Sequence, residues 1–226
     1  MGIMIPEWDY SHAKSKGKNI FFLRDTNHAS EEVAAVLLDE LDRLVNQHFF
    51  PVLFSEGFEG LSLQISLEYG SEEELKKLLL ERQGRWLAQE VFAYRHREEI
   101  NSGQFLLYGV DSDSLIEEQK KDGHRILELY EKQNRGESLT PMEIQECRWR
   151  MNVNGRRISE QRSAYSVEKI EELMKSVDTA GLVYGNGHFP EIAAGLEKAE
   201  IGYVSFFPGE AEVDREKIID YVRRFK

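Results

Sequence analysis

A short pattern occurs near each end of this chain and restricts its fold more than any other feature. An apolar run rich in β-forming residues is followed by small polar residues, a histidine and the start of a helix. The two histidines are His28 and His188, and the helices that follow them begin around Glu31 and Glu191. Strands that alternate with helices build α/β folds, in which ligands bind at the carboxyl ends of the strands. The repetition therefore predicts one site that both histidines face.

Alternating apolar and amphipathic segments extend this pattern over the whole chain. Strands are predicted at 19–23, 50–54, 105–108, 180–184 and 203–207. Helices are predicted after Ser30 and at 72–83, 86–100, 115–133, 158–177 and 213–225, with one more starting at Thr140-Pro141. We expect one α/β domain over residues 1–226, with a mainly parallel central sheet of about five or more strands flanked by helices. Residues 115–178 are predicted to form a helical insertion or lid before the fourth strand.

The composition excludes several classes of partner. The net charge is −12, and an acidic surface repels nucleic acid backbones and anionic membranes, so we expect neither as a partner. The single cysteine, Cys147, cannot form an internal disulfide and fits a reducing compartment. No signal peptide or membrane-spanning run is recognisable. We expect a cytoplasmic protein that acts on a small molecule or a peptide, while the sequence leaves its oligomeric state open.

Polar residues follow the predicted strands at the points where a parallel sheet would bring them together. Glu56 follows the second strand and Asp111 the third, while His28 and His188 follow the first and fourth. Imidazoles titrate near neutral pH and carboxylates orient them, so this set suits proton transfer. His28, Glu56 and His188 could alternatively coordinate a divalent metal ion. Asp111 could instead cap the next helix.

The turn before the second histidine contains Gly185, Asn186 and Gly187. Such a turn exposes backbone amides that could hold an oxyanion, a phosphate or a cofactor group. An ordinary strand-to-helix turn, with Pro190 at the start of the helix, explains the same residues.

The order of these elements resembles the superfamily that joins erythromycin esterase-like, TraB, Tiki and ChaN-like proteins. Its members carry Gly-x-x-His after the first strand, a glutamate after the second, an arginine in a late helix, and a second Gly-x-x-His. Here the second motif is intact at Gly185–His188, Glu56 matches the glutamate and Arg162 the arginine. The Gly-Val-Asp that ends at Asp111 resembles a further strand end of that family. The first motif departs from the pattern, because Asp25 stands where the family has glycine.

The resemblance implies three alternatives, since that superfamily includes metal-free esterases, proposed metal-dependent peptidases and a haem-binding lipoprotein. The leading hypothesis is a hydrolase of ester or peptide-like bonds, with or without a divalent metal ion. In it, one histidine and Glu56 activate water, while the other histidine or Arg162 stabilises the oxyanion. The second is a non-catalytic module that binds haem or another small ligand, assisted by aromatic residues (Phe22, Phe58, Phe189 and Tyr184). The third is a domain that keeps the fold without the chemistry, an idea that rests on Asp25.

Overall fold

A mixed seven-stranded sheet forms the centre of the molecule. The computed structural model describes residues 7–14, 17–28, 30–47, 49–61, 70–83 and 87–209. In chain order the strands are β1 (Glu7–Asp9), β2 (Asn19–Asp25), β3 (Val52–Ser55), β4 (Glu59–Leu61), β5 (Leu106–Val110), β6 (Thr179–Gly185) and β7 (Gly202–Phe207). In space they follow the order β1-β7-β2-β6-β3-β5-β4.

The five inner strands are parallel, and each edge strand is antiparallel to its neighbour. The predicted α/β class and mainly parallel sheet are therefore confirmed. The edge strands β1 and β4 were not predicted, because a strand of only three residues has too little alternation to be recognised. The strand predicted from residue 50 begins at Val52, since Pro51 has no amide hydrogen for the ladder.

Helices cover both faces of the sheet. They are α1 (Glu31–Asn46), α2 (Glu72–Gln83), α3 (Ala88–Arg95), α4 (Arg97–Asn101), α5 (Asp113–Asn134), α6 (Pro141–Trp149), α7 (Gly155–Leu173) and α8 (Phe189–Lys198). A π-helical segment, Arg150–Asn154, joins α6 to α7, and a 3₁₀ turn, Asn186–His188, precedes α8. Among the helices of the described residues, none is both long enough and apolar enough to cross a membrane.

Local sequence signals explain where the helices begin. The Ser30 hydroxyl accepts a hydrogen bond from the Val33 amide at 3.3 Å, so it caps α1. Thr140 and Glu143 form a reciprocal capping box before α6, whose first residue is Pro141. The helix predicted at 86–100 is divided at His96 into α3 and α4. The helix predicted at 213–225 and residue 86 lie outside the described residues.

Two apolar layers hold the helices against the sheet. Leu23, Leu53 and Val183 pack with α1 and α3 on one face, and the alternate residues Phe22 and Leu182 pack with α7 and α8 on the other. This alternation is what the twofold side-chain period of a strand requires. Helix α7 also contacts β5, which places it across the carboxyl ends of the central strands. The interpretation of 115–178 as a lid stays a prediction.

Shortening a core side chain of the central sheet should destabilise the fold. Leu53 has no exposed surface, whereas Leu106 on the adjacent strand is 42% exposed. We expect Leu53→Ala to lower the free energy of unfolding by about 2–5 kcal/mol, because it removes buried methyl groups and leaves a cavity. Leu106→Ala should cost about 1 kcal/mol or less. Urea denaturation followed by circular dichroism measures both, and equal losses would contradict this account of the core.

Candidate active site

The carboxyl ends of four parallel strands meet around one glutamate. The pairing of β2 with β6 sets Asp25 opposite Gly185. Between β6 and β3, Ser55 pairs with Val183, and the Glu56 amide donates to the Val183 carbonyl oxygen at 3.1 Å. Sheet register alone therefore brings the ends of these strands to the same edge. The side chain of Glu56 lies at the centre of this edge and contacts groups from α7, β6 and the turn after β2.

An arginine from α7 fixes two carboxylates at this edge. The Arg162 Nη2 donates to Glu56 Oε1 at 2.8 Å and also to Asp111 Oδ2. Its Nε donates to Asp111 Oδ1 at 3.0 Å, and its Nη1 to Gln119 Oε1. The side chain of Arg162 is only 7% exposed. A planar guanidinium satisfies several oxygens at fixed angles, so Arg162 sets the positions of both carboxylates.

The environment of Glu56 keeps its carboxylate ionised. Burial raises the pKa of Glu56, but the protonated form of His28, the charge of Arg162 and the protonated form of His188 lower it, as does a hydrogen bond from the Gly185 amide. The balance of these effects places the pKa below its ordinary value. Glu56 therefore carries a negative charge at neutral pH and can stabilise a neighbouring cation.

Arg162 is unsuited to the predicted stabilisation of an oxyanion. Burial alone would lower its pKa, but the hydrogen bonds to Asp111 and the charge of Glu56 raise it further. The guanidinium therefore stays charged, yet most of its N–H groups already donate to Glu56, Asp111 and Gln119. We assign Arg162 a positioning role instead.

Asp111 belongs to the same network and does not cap α5. Its side chain is fully buried, and it accepts hydrogen bonds from the Gly57 amide at 3.2 Å and the Ser112 amide at 2.9 Å. Ser112, not Asp111, occupies the cap position of α5. The alternative interpretation of Asp111 as a helix cap is therefore wrong, and its charge balances that of Arg162.

Asp25 holds His28 in place. The Asp25 Oδ2 lies 2.7 Å from His28 Nδ1, while Oδ1 accepts a hydrogen bond from the Asn27 amide at 3.2 Å. The Asp25 carboxylate thus stabilises the turn and also orients the imidazole of His28. The other ring nitrogen, Nε2, lies 3.7 Å from Glu56 Oε2. His28 consequently has a carboxylate on each side.

His188 has a different environment. Its Nδ1 lies 2.8 Å from the Ser163 hydroxyl, which itself donates to the Ser159 carbonyl oxygen at 3.0 Å. With its hydrogen donated to Ser159, Ser163 accepts from His188, and we therefore assign the ring hydrogen to Nδ1 and the lone pair to Nε2. Burial lowers the pKa of His188, and although Glu56 acts in the opposite direction the pKa stays below its ordinary value. His188 is therefore a neutral base at physiological pH.

The turn at 185–187 supports Glu56 through the amide of Gly185. The Gly185 amide donates to Glu56 Oε2 at 2.5 Å, and Asn186 Oδ1 accepts from Arg24 Nε at 2.8 Å. A Cβ at Gly185 would lie 2.8 Å from His28 Nε2, whereas one at Gly187 would meet nothing within 4 Å. The Gly185 amide is thus occupied by Glu56, and the predicted oxyanion or cofactor site at 185–187 stays a prediction. Glycine is needed at position 185 because the side chains of His28 and Glu56 lie too close to its backbone for a Cβ.

The three residues predicted as metal ligands do not form a chelating set. Among the described residues, no group of three or more His, Cys, Asp or Glu side chains is arranged to hold a metal ion. Both Glu56 oxygens already accept hydrogen bonds, from Arg162 and from the Gly185 amide. The positive charge of Arg162, whose Nη2 lies 2.8 Å from Glu56 Oε1, disfavours a second cation beside this carboxylate. The arrangement of His28, Glu56 and His188 therefore does not fit a metal centre.

Several residues of the site were not predicted from the sequence. Asp25 was recognised as a carboxylate at the end of the first strand and as a departure from the family pattern, but not as the partner of His28, although a spacing of three residues suits a hydrogen bond within one turn. Ser159, Ser163 and Gln119 carried no recognisable signal. Their contacts depend on how α5 and α7 pack on the sheet, which helical periodicity does not specify.

Comparison of the chain with protein-family models, with curated proteins and with solved structures finds no match in any of the three. The resemblance to the erythromycin esterase, TraB, Tiki and ChaN-like superfamily stays a prediction that rests on the motifs alone.

Adding a methyl group at Gly185 should disrupt the site more than the fold. The new Cβ would lie 3.0 Å from Glu56 Oε2 and closer still to His28. We expect Gly185→Ala to separate the two side chains and raise the pKa of Glu56, because the carboxylate loses the His28 charge. Carbon-13 NMR of labelled glutamate follows that titration. Gly187→Ala is the matched control, and an unchanged Glu56 titration in both variants would contradict the described geometry.

The burial of His188 predicts a pH dependence of stability. Its folded pKa lies below the ordinary value of 6.5, so the unfolded chain binds a proton more readily. The contribution of His188 to stability is therefore present above pH 6.5 and is lost as the pH falls below it. Urea unfolding between about pH 7.5 and about pH 5.5 should show a smaller loss in His188→Asn than in the wild type. Identical pH profiles would show that His188 is not buried as described.

Proposed function

We propose that this edge of the sheet is the active site of a metal-free hydrolase that cleaves an ester or peptide-like bond. The observation that carries the proposal is the contrast between two histidines beside one ionised glutamate. His188 is partly buried and neutral, and its Nδ1 is hydrogen-bonded to Ser163. His28 lies between the carboxylates of Asp25 and Glu56. A neutral histidine and a histidine flanked by two carboxylates are suited to serve as base and acid.

His188 is the proposed general base. Its Nε2 lone pair takes a proton from a water molecule while the water oxygen attacks the carbonyl carbon of the substrate. The negative charge of Glu56 raises the pKa of His188 and therefore stabilises the imidazolium that forms. Ser163 keeps the ring in the tautomer that leaves Nε2 unprotonated. When the tetrahedral intermediate collapses, His188 returns the proton to the leaving alcohol or amine.

His28 is the proposed electrophile. In its protonated form Nδ1–H donates to Asp25, and Nε2–H can donate to the carbonyl oxygen as it gains negative charge. Glu56 balances the charge of that imidazolium, and the charge of His28 in turn lowers the pKa of Glu56. In this proposal His28, and not Arg162, stabilises the oxyanion.

The two other hypotheses receive less support. A planar ligand such as haem needs accessible aromatic faces, but Phe22 and Tyr184 have no exposed surface. The hypothesis of a domain without chemistry rested on Asp25 in place of glycine. In the structure Asp25 orients His28, so its presence does not argue against a functional site. A Soret band that appears on haem titration and is lost in His188→Ala would favour the binding module instead.

Removal of either histidine should lower turnover without unfolding the protein. We expect His28→Ala and His188→Ala each to reduce kcat by about 10²–10⁴-fold, which is the usual contribution of a positioned acid or base. His124→Gln, on α5, is the control and should keep wild-type activity. Turnover is measured on a panel of 4-nitrophenyl esters and peptide 4-nitroanilides. Full activity in both alanine variants, on any substrate that the wild type hydrolyses, would reject the assignment.

The metal-dependent version is tested on the same protein. Elemental analysis of protein purified without chelator should find no stoichiometric divalent metal, and activity should survive dialysis against EDTA. A stoichiometric metal whose removal abolishes activity would replace the metal-free mechanism.

A further inference from the structure

A second arginine lies at the same edge of the sheet, and its geometry differs from that of Arg162. Arg24 is the penultimate residue of β2 and pairs in register with Tyr184 of β6. Its Cζ lies 4.1 Å from the ring centroid of Phe189 and 4.9 Å from that of Phe207. Its Nε donates to Asn186 Oδ1 at 2.8 Å. Contacts from α8, β7 and the turn before His188 therefore fix the plane of this guanidinium.

The outer nitrogens of Arg24 have no hydrogen-bond acceptor among the described residues. Within the part of the chain that the structure describes, Nη1 and Nη2 donate to no side chain and no carbonyl group. Burial lowers the pKa of Arg24, and the charges of Asp9 and Tyr203 only partly offset this effect. A partly buried guanidinium with a fixed plane, whose outer N–H groups have no acceptor among the described residues, is well suited to bind an oxyanion through two parallel hydrogen bonds.

The position of Arg24 connects it to the site of hydrolysis. Asn186, which holds its Nε, follows Gly185, whose amide binds Glu56, and the same 3₁₀ turn ends at His188. The next residue of β2, Asp25, holds His28. Arg24 is thus linked through adjacent residues to both proposed catalytic histidines, while Glu56 and Asp111 keep negative charge at the centre. An anionic substrate group would be repelled from that centre and attracted to Arg24.

We propose that Arg24 is the anchor for an anionic group of the substrate, so that the substrates are esters or amides bearing a carboxylate or phosphate. This inference rests on the proposed function for the identity of the scissile bond. The stacked arginine determines which substrates bind, whereas the two histidines and Glu56 act on the carbonyl group.

Binding of small esters tests the anchor without requiring turnover. Monomethyl succinate and methyl phosphate are the anionic probes, dimethyl succinate is the neutral probe, and each is titrated by calorimetry into His28→Ala protein. We expect at least one anion to bind about tenfold or more tightly than the neutral diester, and Arg24→Gln to remove that advantage. Arg24→Lys should restore it only partly, because an ammonium lacks the planar fork. Whichever anion binds more tightly identifies the substrate group.

The control variant is Arg135→Gln, which removes an exposed arginine at the end of α5 that pairs with Glu137. It should leave the binding of both anions unchanged. Because Arg24→Gln also removes ring contacts, nitrogen-15 NMR of the Arg24 Nε–H group in otherwise wild-type protein provides a second measurement. That resonance should shift on addition of the anion and not of the diester.

The proposal is overturned if neither anion binds better than the diester, or if Arg24→Gln keeps the difference. These outcomes are independent of catalysis. Full activity of both His28→Ala and His188→Ala would refute the hydrolytic mechanism and leave the binding result at Arg24 standing.

Discussion

The ion cluster formed by Arg162, Glu56 and Asp111 is the interaction on which the rest of the site depends. Two carboxylates with almost no exposure can remain ionised only if a buried cation and several hydrogen bonds replace their hydration. Arg162 supplies that cation from α7, on the opposite side of the sheet from α1. The cluster therefore also ties the long helix to the ends of β3 and β5. Removing one partner would leave an uncompensated buried charge, which typically costs about 3–5 kcal/mol.

Around this fixed charge, two histidines with the same position in the chain pattern acquire different chemistry. His28 follows β2 in an open turn, and a carboxylate supplied by that turn binds its Nδ1. His188 lies under α7, where two serine hydroxyls replace a carboxylate. His188 is thus held neutral, whereas His28 lies between two carboxylates. The sheet supplies equivalent positions, and the neighbouring side chains make them functionally distinct.

The sequence was most informative where local pattern and sheet geometry act together. Glu56 and Asp111 were recognised because they directly follow apolar strands, and parallel pairing necessarily brings such residues to one edge. Arg162 was identified only through the motif resemblance, because a helical arginine by itself is usually a surface residue. Gln119 and Ser163 could not be found, since the rotation of α5 and α7 over the sheet decides which residues of each helix face Glu56. The contact of the Gly185 amide with Glu56 could not be predicted either, because its acceptor lies 129 residues away in the chain.

The ionisation of Glu56 is the most direct test of this account. Carbon-13 NMR of the Glu56 carboxyl group, followed through an acid titration of the folded protein, reports its pKa without any assumption about substrate. The account predicts a midpoint below the ordinary value of 4.5, and a higher midpoint in Arg162→Gln if that variant stays folded. A wild-type midpoint at or above 4.5 would show that the carboxylate is not held by the cluster, and the proposed roles of both histidines would lose their basis.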